Sequence, residues 1–375
     1  MAGMSEQRLM KEGLGVDAVA RIDHVLSILI KDFPSHDFKI SALTGLESLE
    51  LKQRVNHLID VLAQYLPNDF QSVATILLQV KQHWDWGEAN DALSGFSAWP
   101  LIDYVAVYGI DYPELALPVL KELTPLFTAE FAIRPFIQRH FDISYQSILD
   151  WCDDTDENVR RLASEGMRSR LPWGCRLMQF CDDPRAIFLV LEKLKDDESV
   201  YVRKSVANNL NDISKDNPDQ VVALCQLWMK DAPLARQGVI RQALRSLVKS
   251  GRSDVFPLLG YTAEPSIKLT TFSVNKDRVK LGNSIVISVV LLSTAKQEQT
   301  IVLDYKVHHV KANGTTTAKV FKWKNLTLQP DDVLQMKKSH AFKEITTRTY
   351  YSGMHSIELL INGKAMMKID VELIV

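Results

Sequence analysis

Asp153-Asp154-Thr155-Asp156-Glu157-Asn158-Val159-Arg160-Arg161 returns 43 residues later as Asp196-Asp197-Glu198-Ser199-Val200-Tyr201-Val202-Arg203-Lys204. An acidic turn, then Val-Arg and a second cation opening an apolar-periodic run, is one helical unit written twice. A weaker echo, Ile240-Arg241-Gln242-Ala243-Leu244, follows after 38 more residues, and Ile133-Arg134-Pro135-Phe136-Ile137 reads as a degenerate earlier copy. A period near 40 of this kind is the signature of HEAT-like repeats. Helix pairs of such repeats stack on their neighbours into a curved solenoid with a concave face.

Upstream of the repeats the chain also reads as helical. Apolar residues recur at three- and four-residue spacing in Ile22, Val25, Leu26 and Leu29, and again in Val55, Leu58, Ile59 and Leu62. Breaks at Leu66-Pro67-Asn68-Asp69, Asp111-Tyr112-Pro113 and Asp216-Asn217-Pro218-Asp219 punctuate it. Near residue 262 the period changes to that of strands. β-branched runs at 266–274, 284–292, 300–310, 318–323, 356–361 and 367–375 are separated by Leu281-Gly282-Asn283, Ala312-Asn313-Gly314 and Asn362-Gly363. Some seven short strands suit an immunoglobulin-like sandwich without the antibody cysteine pair. The expected architecture is therefore α then β. A HEAT-like α-helical solenoid over 1–260 is followed by an immunoglobulin-like β-sandwich over 262–375.

The composition, 46% hydrophobic with a net charge of −2, excludes a disordered chain. No run of eighteen apolar residues and no basic-then-apolar N-terminus occurs, so neither a membrane span nor a secretory signal is expected. Four cysteines without CxxC spacing point to reduced thiols and a cytoplasmic location. Scattered histidines without HExxH predict no metal, and missing Walker and Rossmann glycines predict no nucleotide cofactor. The near-neutral total hides a gradient. Residues 1–129 carry a net of −8, and 13 of the 19 cations in 130–260 are Arg. Residues 261–375 carry +6, almost all from Lys. Arg suits bidentate contact with phosphate or carboxylate, and Lys acts as a point charge.

Candidate chemistry lies on the polar faces of the repeat helices. Val159, Leu162, Ala163 and Met167 form one buried stripe, leaving Arg161, Glu165 and Arg168 opposite. Val202, Val206, Leu210 and Ile213 form another, leaving Lys204, Asn208 and Asn211 outward. Glu130, Arg134 and Gln138 align at four-residue steps. Glu130 with Arg134, and Glu165 with Arg161 and Arg168, have a plain alternative as solvated helix-surface ion pairs, whose loss costs under about 1 kcal/mol. Trp99 and Asp103, beside Pro100, read equally as a half-buried Trp and a first-turn acid. Trp173 is either core or ligand-binding. Asn208-Asn209, poor helix formers at mid-helix, suggest a specific contact.

The runs Trp99-Pro100-Leu101-Ile102-Asp103-Tyr104, Glu130-Phe131-Ala132-Ile133-Arg134-Pro135-Phe136, Val159 to Gly166, Arg170-Leu171-Pro172-Trp173 and Val202 to Asp212 resemble bacterial DNA alkylation-repair glycosylases of the AlkC type. The related AlkD branch shares their HEAT-like scaffold. The resemblance spans roughly 1–260, and the sandwich is similar to the extension some AlkC-type proteins carry. It implies a monomeric, cofactor-free, monofunctional enzyme that excises cationic alkylated bases from double-stranded DNA. Those bases would be 3-methyladenine alone or also 3-methylcytosine and 1-methyladenine, removed without base flipping. Carried residue by residue, it makes Glu130 and Glu165 the first candidate catalytic carboxylates and Asp103 the third. Asp103 and Trp99 match the Trp-x-x-x-Asp pair of the AlkD branch, whereas that branch's second tryptophan falls at Asn208. Candidate DNA contacts are Trp99, Arg134, Arg160, Arg161, Arg168, Trp173, Lys204, Asn208, Asn209 and Arg241. Lys276, Arg278, Lys280 and the Lys319, Lys322, Lys324 cluster with Trp323 are either further phosphate contacts or solubilising strand charges. The contrasting reading is a non-catalytic HEAT-like scaffold that binds DNA or a protein partner.

Overall fold

The structure is a computed structural model that describes residues 9–88 and 91–375. The chain forms two compact units, Met1–Asn217 and Pro218–Val375. No helix among the described residues is long and apolar enough to cross a membrane.

The first unit is helical. In Leu51–Tyr65 the stripe Val55, Leu58, Ile59 and Leu62 is buried, as its spacing requires. The expected breaks fall between helices. Asp69 caps Phe70–Leu77 by accepting the Ser72 N–H at 2.8 Å, and Pro113 opens Pro113–Leu123.

The repeated acidic turn has a repeated structure. Asp154 Oδ1 accepts the Asp156 N–H, and Asp156 then caps the Glu157–Glu165 helix through the Asn158 N–H, both at 2.8 Å. In the next copy Asp197 Oδ1 accepts the Ser199 N–H at 2.8 Å, and Ser199 Oγ caps Val200–Ile213. Arg160 Nη1 donates to the carbonyls of Asp154 and Thr155. Arg203 Nη1 donates to those of Asp197 and Glu198, the same two positions of its own turn. The Arg of the Val-Arg signature is thus a clip that folds each turn back on its helix. The two helices lie side by side along a polar seam. Ser205 Oγ sits 2.9 Å from Ser164 Oγ, and Asn209 Nδ2 donates to the Ser164 carbonyl at 2.7 Å.

The second unit joins the helices Pro218–Met229, Leu234–Ala243, Arg245–Ser250 and Val255–Leu258 to a sandwich. The compact units therefore divide about forty residues before the change of secondary structure at which the sequence suggested a boundary. The reason is local packing. Thr262 N–H donates to the Thr300 carbonyl, and Asn362 Nδ2 donates to the Thr262 carbonyl, both at 2.8 Å. Gly251 and Gly363, both at positive φ, meet so closely that a Cβ on Gly363 would lie 2.2 Å from Gly251 Cα.

The strands are β1 (Ile267–Val274), β2 (Arg278–Lys280), β3 (Ser284–Ser293), β4 (Gln299–Val310), β5 (Thr316–Leu328), β6 (Val333–Ala341), β7 (Gly353–Ile361) and β8 (Lys364–Ile374). They form one sheet in the order β1-β3-β6 and another in the order β2-β8-β7-β4-β5. Strict alternation buries Ile285, Ile287, Val289 and Leu291 of β3 against Leu303, Tyr305 and Val307 of β4 and Ile357 and Leu359 of β7. Asn362-Gly363, both at positive φ, make the tight β7–β8 hairpin. β2 and β6 lacked a strand signal in the sequence. The former has three residues, and the latter is an edge strand whose outward positions after Val333 are polar.

Candidate active site and nucleic-acid interface

Three helical segments of the first unit bring alternating charges into one row. Glu130 precedes the Ile133–Arg139 helix, and its Oε2 accepts from Thr128 Oγ1 at 2.9 Å and pairs with Arg161 Nη2 at 2.7 Å. Arg161 also donates to Thr128, approaches Glu165 Oε1 at 3.5 Å, and lies over the Tyr201 ring at 4.7 Å. Glu165 Oε1 accepts from Arg168 Nη1, and its Oε2 accepts from Ser205 Oγ, both at 2.6 Å. Arg168 reaches on to Asp212 Oδ2 at 2.7 Å, and Lys215 pairs with Asp212 Oδ1 at 2.7 Å. The row runs Glu130, Arg161, Glu165, Arg168, Asp212, Lys215. Burial works against the charged form of both arginines, but the neighbouring carboxylates prevail and hold both above the ordinary arginine value.

Two clefts flank an aromatic wall. Trp99 is stacked on Phe127 and Phe131 at centroid distances of 5.2 and 5.8 Å and meets Phe96 edge-on at 5.9 Å. On one side a cleft of about 320 Å³ is lined by Glu130, Glu165 and Arg168 together with these rings. On the other, a cleft of about 220 Å³ is lined by Asp103, Lys52, Asn56 and Arg134. Trp173 borders both. The structure thus brings Glu130 and Glu165 together and sets Asp103 apart. Trp99 Nε1 donates to Asp103 Oδ2 at 2.7 Å. Burial pushes the Asp103 carboxyl up to about 6, despite that hydrogen bond and the Lys52 charge.

Several sequence expectations are corrected here. Glu130 and Glu165 are not solvated helix-surface acids; they are 9% and 5% exposed. Arg134 does not pair with Glu130 or face solvent. It is fully buried, donating to the carbonyls of Gly166 and Arg168 at 2.9 and 2.8 Å and twice to that of Cys175. Four of its five N–H donors are used in this way, and the guanidinium holds the loop that carries Arg168 and Trp173. Arg160 is likewise consumed, by its own turn and by Asp197 at 2.7 Å. Arg168, Trp99 and Asn209 are buried, as is Asn211, which had been placed on the outer face. Trp323 belongs to the sandwich core, and Arg278 pairs with Glu372 at 2.6 Å.

Trp173, open between core and ligand contact, is 62% exposed at φ +66°. Few non-glycine residues adopt that conformation, and it concentrates at functional sites. Lys52 Nζ fastens its carbonyl at 2.9 Å, so the indole is held out into solvent. Lys204 and Arg241 are exposed, while Arg161 and Asn208 are partly so. Sequence reasoning missed Thr128, Ser205, Asp212 and Lys52. Ser205, Asn209 and Asp212 follow the three- and four-residue spacing of one helix face, a polar stripe legible within the run already singled out. Lys52 and Thr128 carried no local signal.

The family profile described as the C-terminal Ig-like domain of uncharacterised protein YhaZ matches residues 268–375. Uncharacterized protein YhaZ of Bacillus subtilis (strain 168) is 33% identical over 362 residues, covering 96% of this chain and 98% of that protein. Among solved structures, the alkylpurine DNA glycosylase AlkC of Pseudomonas fluorescens, bound to DNA containing an abasic site analog, matches with a TM-score of 0.90. It is 35% identical, and the match covers 98% of this chain and all of that one.

Proposed function

This chain belongs to the AlkC-type family, and from that premise we propose that it is a monofunctional DNA glycosylase hydrolysing the N-glycosidic bond of cationic alkylated bases in duplex DNA. Its substrates in this reading are 3-methyladenine and, more broadly, bases such as 3-methylcytosine and 1-methyladenine. The observation that carries the reading is the state of Glu130. Both of its hydrogen-bonded contacts use Oε2, which leaves Oε1 for the aromatic cleft that the side chain lines.

A base alkylated on a ring nitrogen already carries the positive charge that a general acid would otherwise supply. What the enzyme must provide is negative charge beside the sugar as it becomes an oxocarbenium ion, and an acceptor that orients the attacking water. Glu130 Oε1 suits both tasks. Glu165, engaged by two arginines and Ser205, serves mainly to fix Arg161 and Arg168 and to keep the row's charge balanced. Asp103 stands third, on the far side of the aromatic wall. An exposed, backbone-fastened Trp173 between two clefts suits contact with a lesion that stays in the stack, so we assign no base flipping. Trp173, Lys204 and Asn208 remain the proposed DNA contacts of the first unit, with Arg241 in the second. In functional terms, 1–260 supplies excision and 262–375 adds basic surface.

Incubating the protein with N-methylated duplex DNA and separating free bases by chromatography tests the reading: methyladenine is released, and its absence refutes it. A lyase step would require an amine nucleophile. Lys121, the sole lysine in 82–192, is paired with Asp154 at 2.7 Å. Lys52 lies in the Asp103 cleft, away from Glu130. Borohydride should therefore trap no protein–DNA adduct. The scaffold reading draws support from the saturation of Glu165, and it predicts DNA binding without any base release.

A further inference from the structure

A cavity of about 190 Å³ lies within the second unit, between the Leu234–Ala243 and Arg245–Ser250 helices and the β4–β5 surface. Arg241, Arg245, Lys249 and Lys322 line it, converging from two helices and a strand around a single carboxylate, Asp304. Asp304 is 5% exposed, and its Oδ1 accepts the Trp323 N–H at 3.3 Å.

That hydrogen bond marks a β-bulge. Leu303 opposes Lys324 and Asp304 opposes Lys322, so Trp323 is the extra residue on β5. The bulge seats the Trp323 ring in the sandwich core and leaves Lys322 exposed at the cavity. Bulges recur where a strand must re-aim a side chain beside a site. Across the cavity, Asn325 Nδ2 donates to the Tyr261 hydroxyl at 2.7 Å, which leaves that hydroxyl its own proton to donate. Burial pushes Asp304 above the ordinary carboxylate range, with Lys322 and Lys249 opposing the shift. One buried carboxylate does not balance Arg241, Lys249 and Lys322 gathered at one opening, and their mutual repulsion is relieved by an anion. An Arg fork, two ammonium groups and a phenolic O–H suit a group with several acceptor oxygens on one centre.

We propose that this cavity binds one backbone phosphate of duplex DNA, held by Arg241, Lys249, Lys322 and the Tyr261 hydroxyl. The choice of DNA as the source of that phosphate rests on the glycosylase reading above; the cationic cavity itself does not.

The test is equilibrium binding of the full-length protein to a short undamaged duplex, followed by fluorescence anisotropy across a salt series. Arg241→Gln, Lys249→Gln and Lys322→Gln are each expected to lower the slope of log K against log salt, and the triple variant to lower it by about 0.9, the contribution of the one phosphate they share. Each should weaken binding several-fold, with thermal melts confirming the fold. Lys337→Gln, on β6 of the other sheet, serves as control and should leave the slope at the wild-type value. Wild-type slopes for all three cavity variants overturn the proposal. So does a result in which inorganic phosphate protects the cavity variants' wild-type counterpart against heating while duplex binding is unchanged, because the anion is then not DNA. The binding assay contains no lesion, so it is independent of excision. Altered slopes without any base release refute the glycosylase reading alone, and base release with unaltered slopes refutes the phosphate site alone.

Discussion

At the residue scale, burial changes what each carboxylate substitution should do. Glu130→Gln keeps the shape of the side chain but removes a charge facing the cleft, so excision should fall at least tenfold in single-turnover assays. Because Glu130 is buried and paired with Arg161, the same change should also cost about 1–3 kcal/mol in denaturant unfolding. Glu165→Gln leaves two arginines facing a neutral amide and should destabilise by about 3 kcal/mol or more. Neither cost was foreseeable from spacing, which makes both acids look like members of solvated pairs. Asp103 gives the opposite sign. Its carboxyl rises from 3.8 to about 6 on folding, so the native state holds a proton that the unfolded chain has released between those values. The stability associated with the protonated form is complete below pH 4 and is lost as pH rises through 6, on the order of 2–3 kcal/mol. Asp103→Asn should therefore unfold at higher denaturant than wild type at pH 7.5, with the difference vanishing near pH 4. A variant no more stable than wild type at pH 7.5 would show that the carboxylate is not desolvated.

At the scale of the element, the Val-Arg signature that reveals the repeat belongs to folding more than to binding. Arg160 and Arg203 clip equivalent turns through equivalent carbonyls. Arg160→Ala and Arg203→Ala should each cost about 1–3 kcal/mol by orphaning those carbonyls, while the salt dependence of DNA binding stays at the wild-type slope. A reduced slope for Arg160→Ala would return that residue to the DNA face. Trp173→Ala should behave conversely, weakening DNA binding while leaving the melting temperature unchanged within a degree or two. The sequence carries the helices, the repeat and six of the eight strands because periodicity and turn chemistry are local. Through resemblance it singles out Glu130, Glu165 and Trp173, which line one cleft of the folded chain. It does not carry the partner of Arg134, which is set by the path of a loop thirty to forty residues away. Whether a cation on a helix meets solvent or a neighbouring carbonyl depends on that path.

At the scale of the molecule, the compact units divide at Asn217 and Pro218, so the last four helices and the sandwich fold as neighbours. Deleting 262–375 should expose their packed surface, including the Gly251–Gly363 contact, and produce a less soluble, less stable protein, contrary to the separate helical core implied by the change in period. A chain ending at Asn217 should melt cooperatively on its own; a cooperative, wild-type-like melt for the 1–261 fragment would contradict this division. In the proposed reaction a cleft carboxylate, with no general acid, promotes cleavage of the bond to a cationic base. The most direct measurement is single-turnover release of 3-methyladenine from methylated duplex DNA by the full-length protein and by Glu130→Gln, both below their melting temperatures. Release by the wild-type protein and a rate at least tenfold lower for the folded variant are expected. Equal rates for the two proteins, or no release by either, would contradict the proposed reaction.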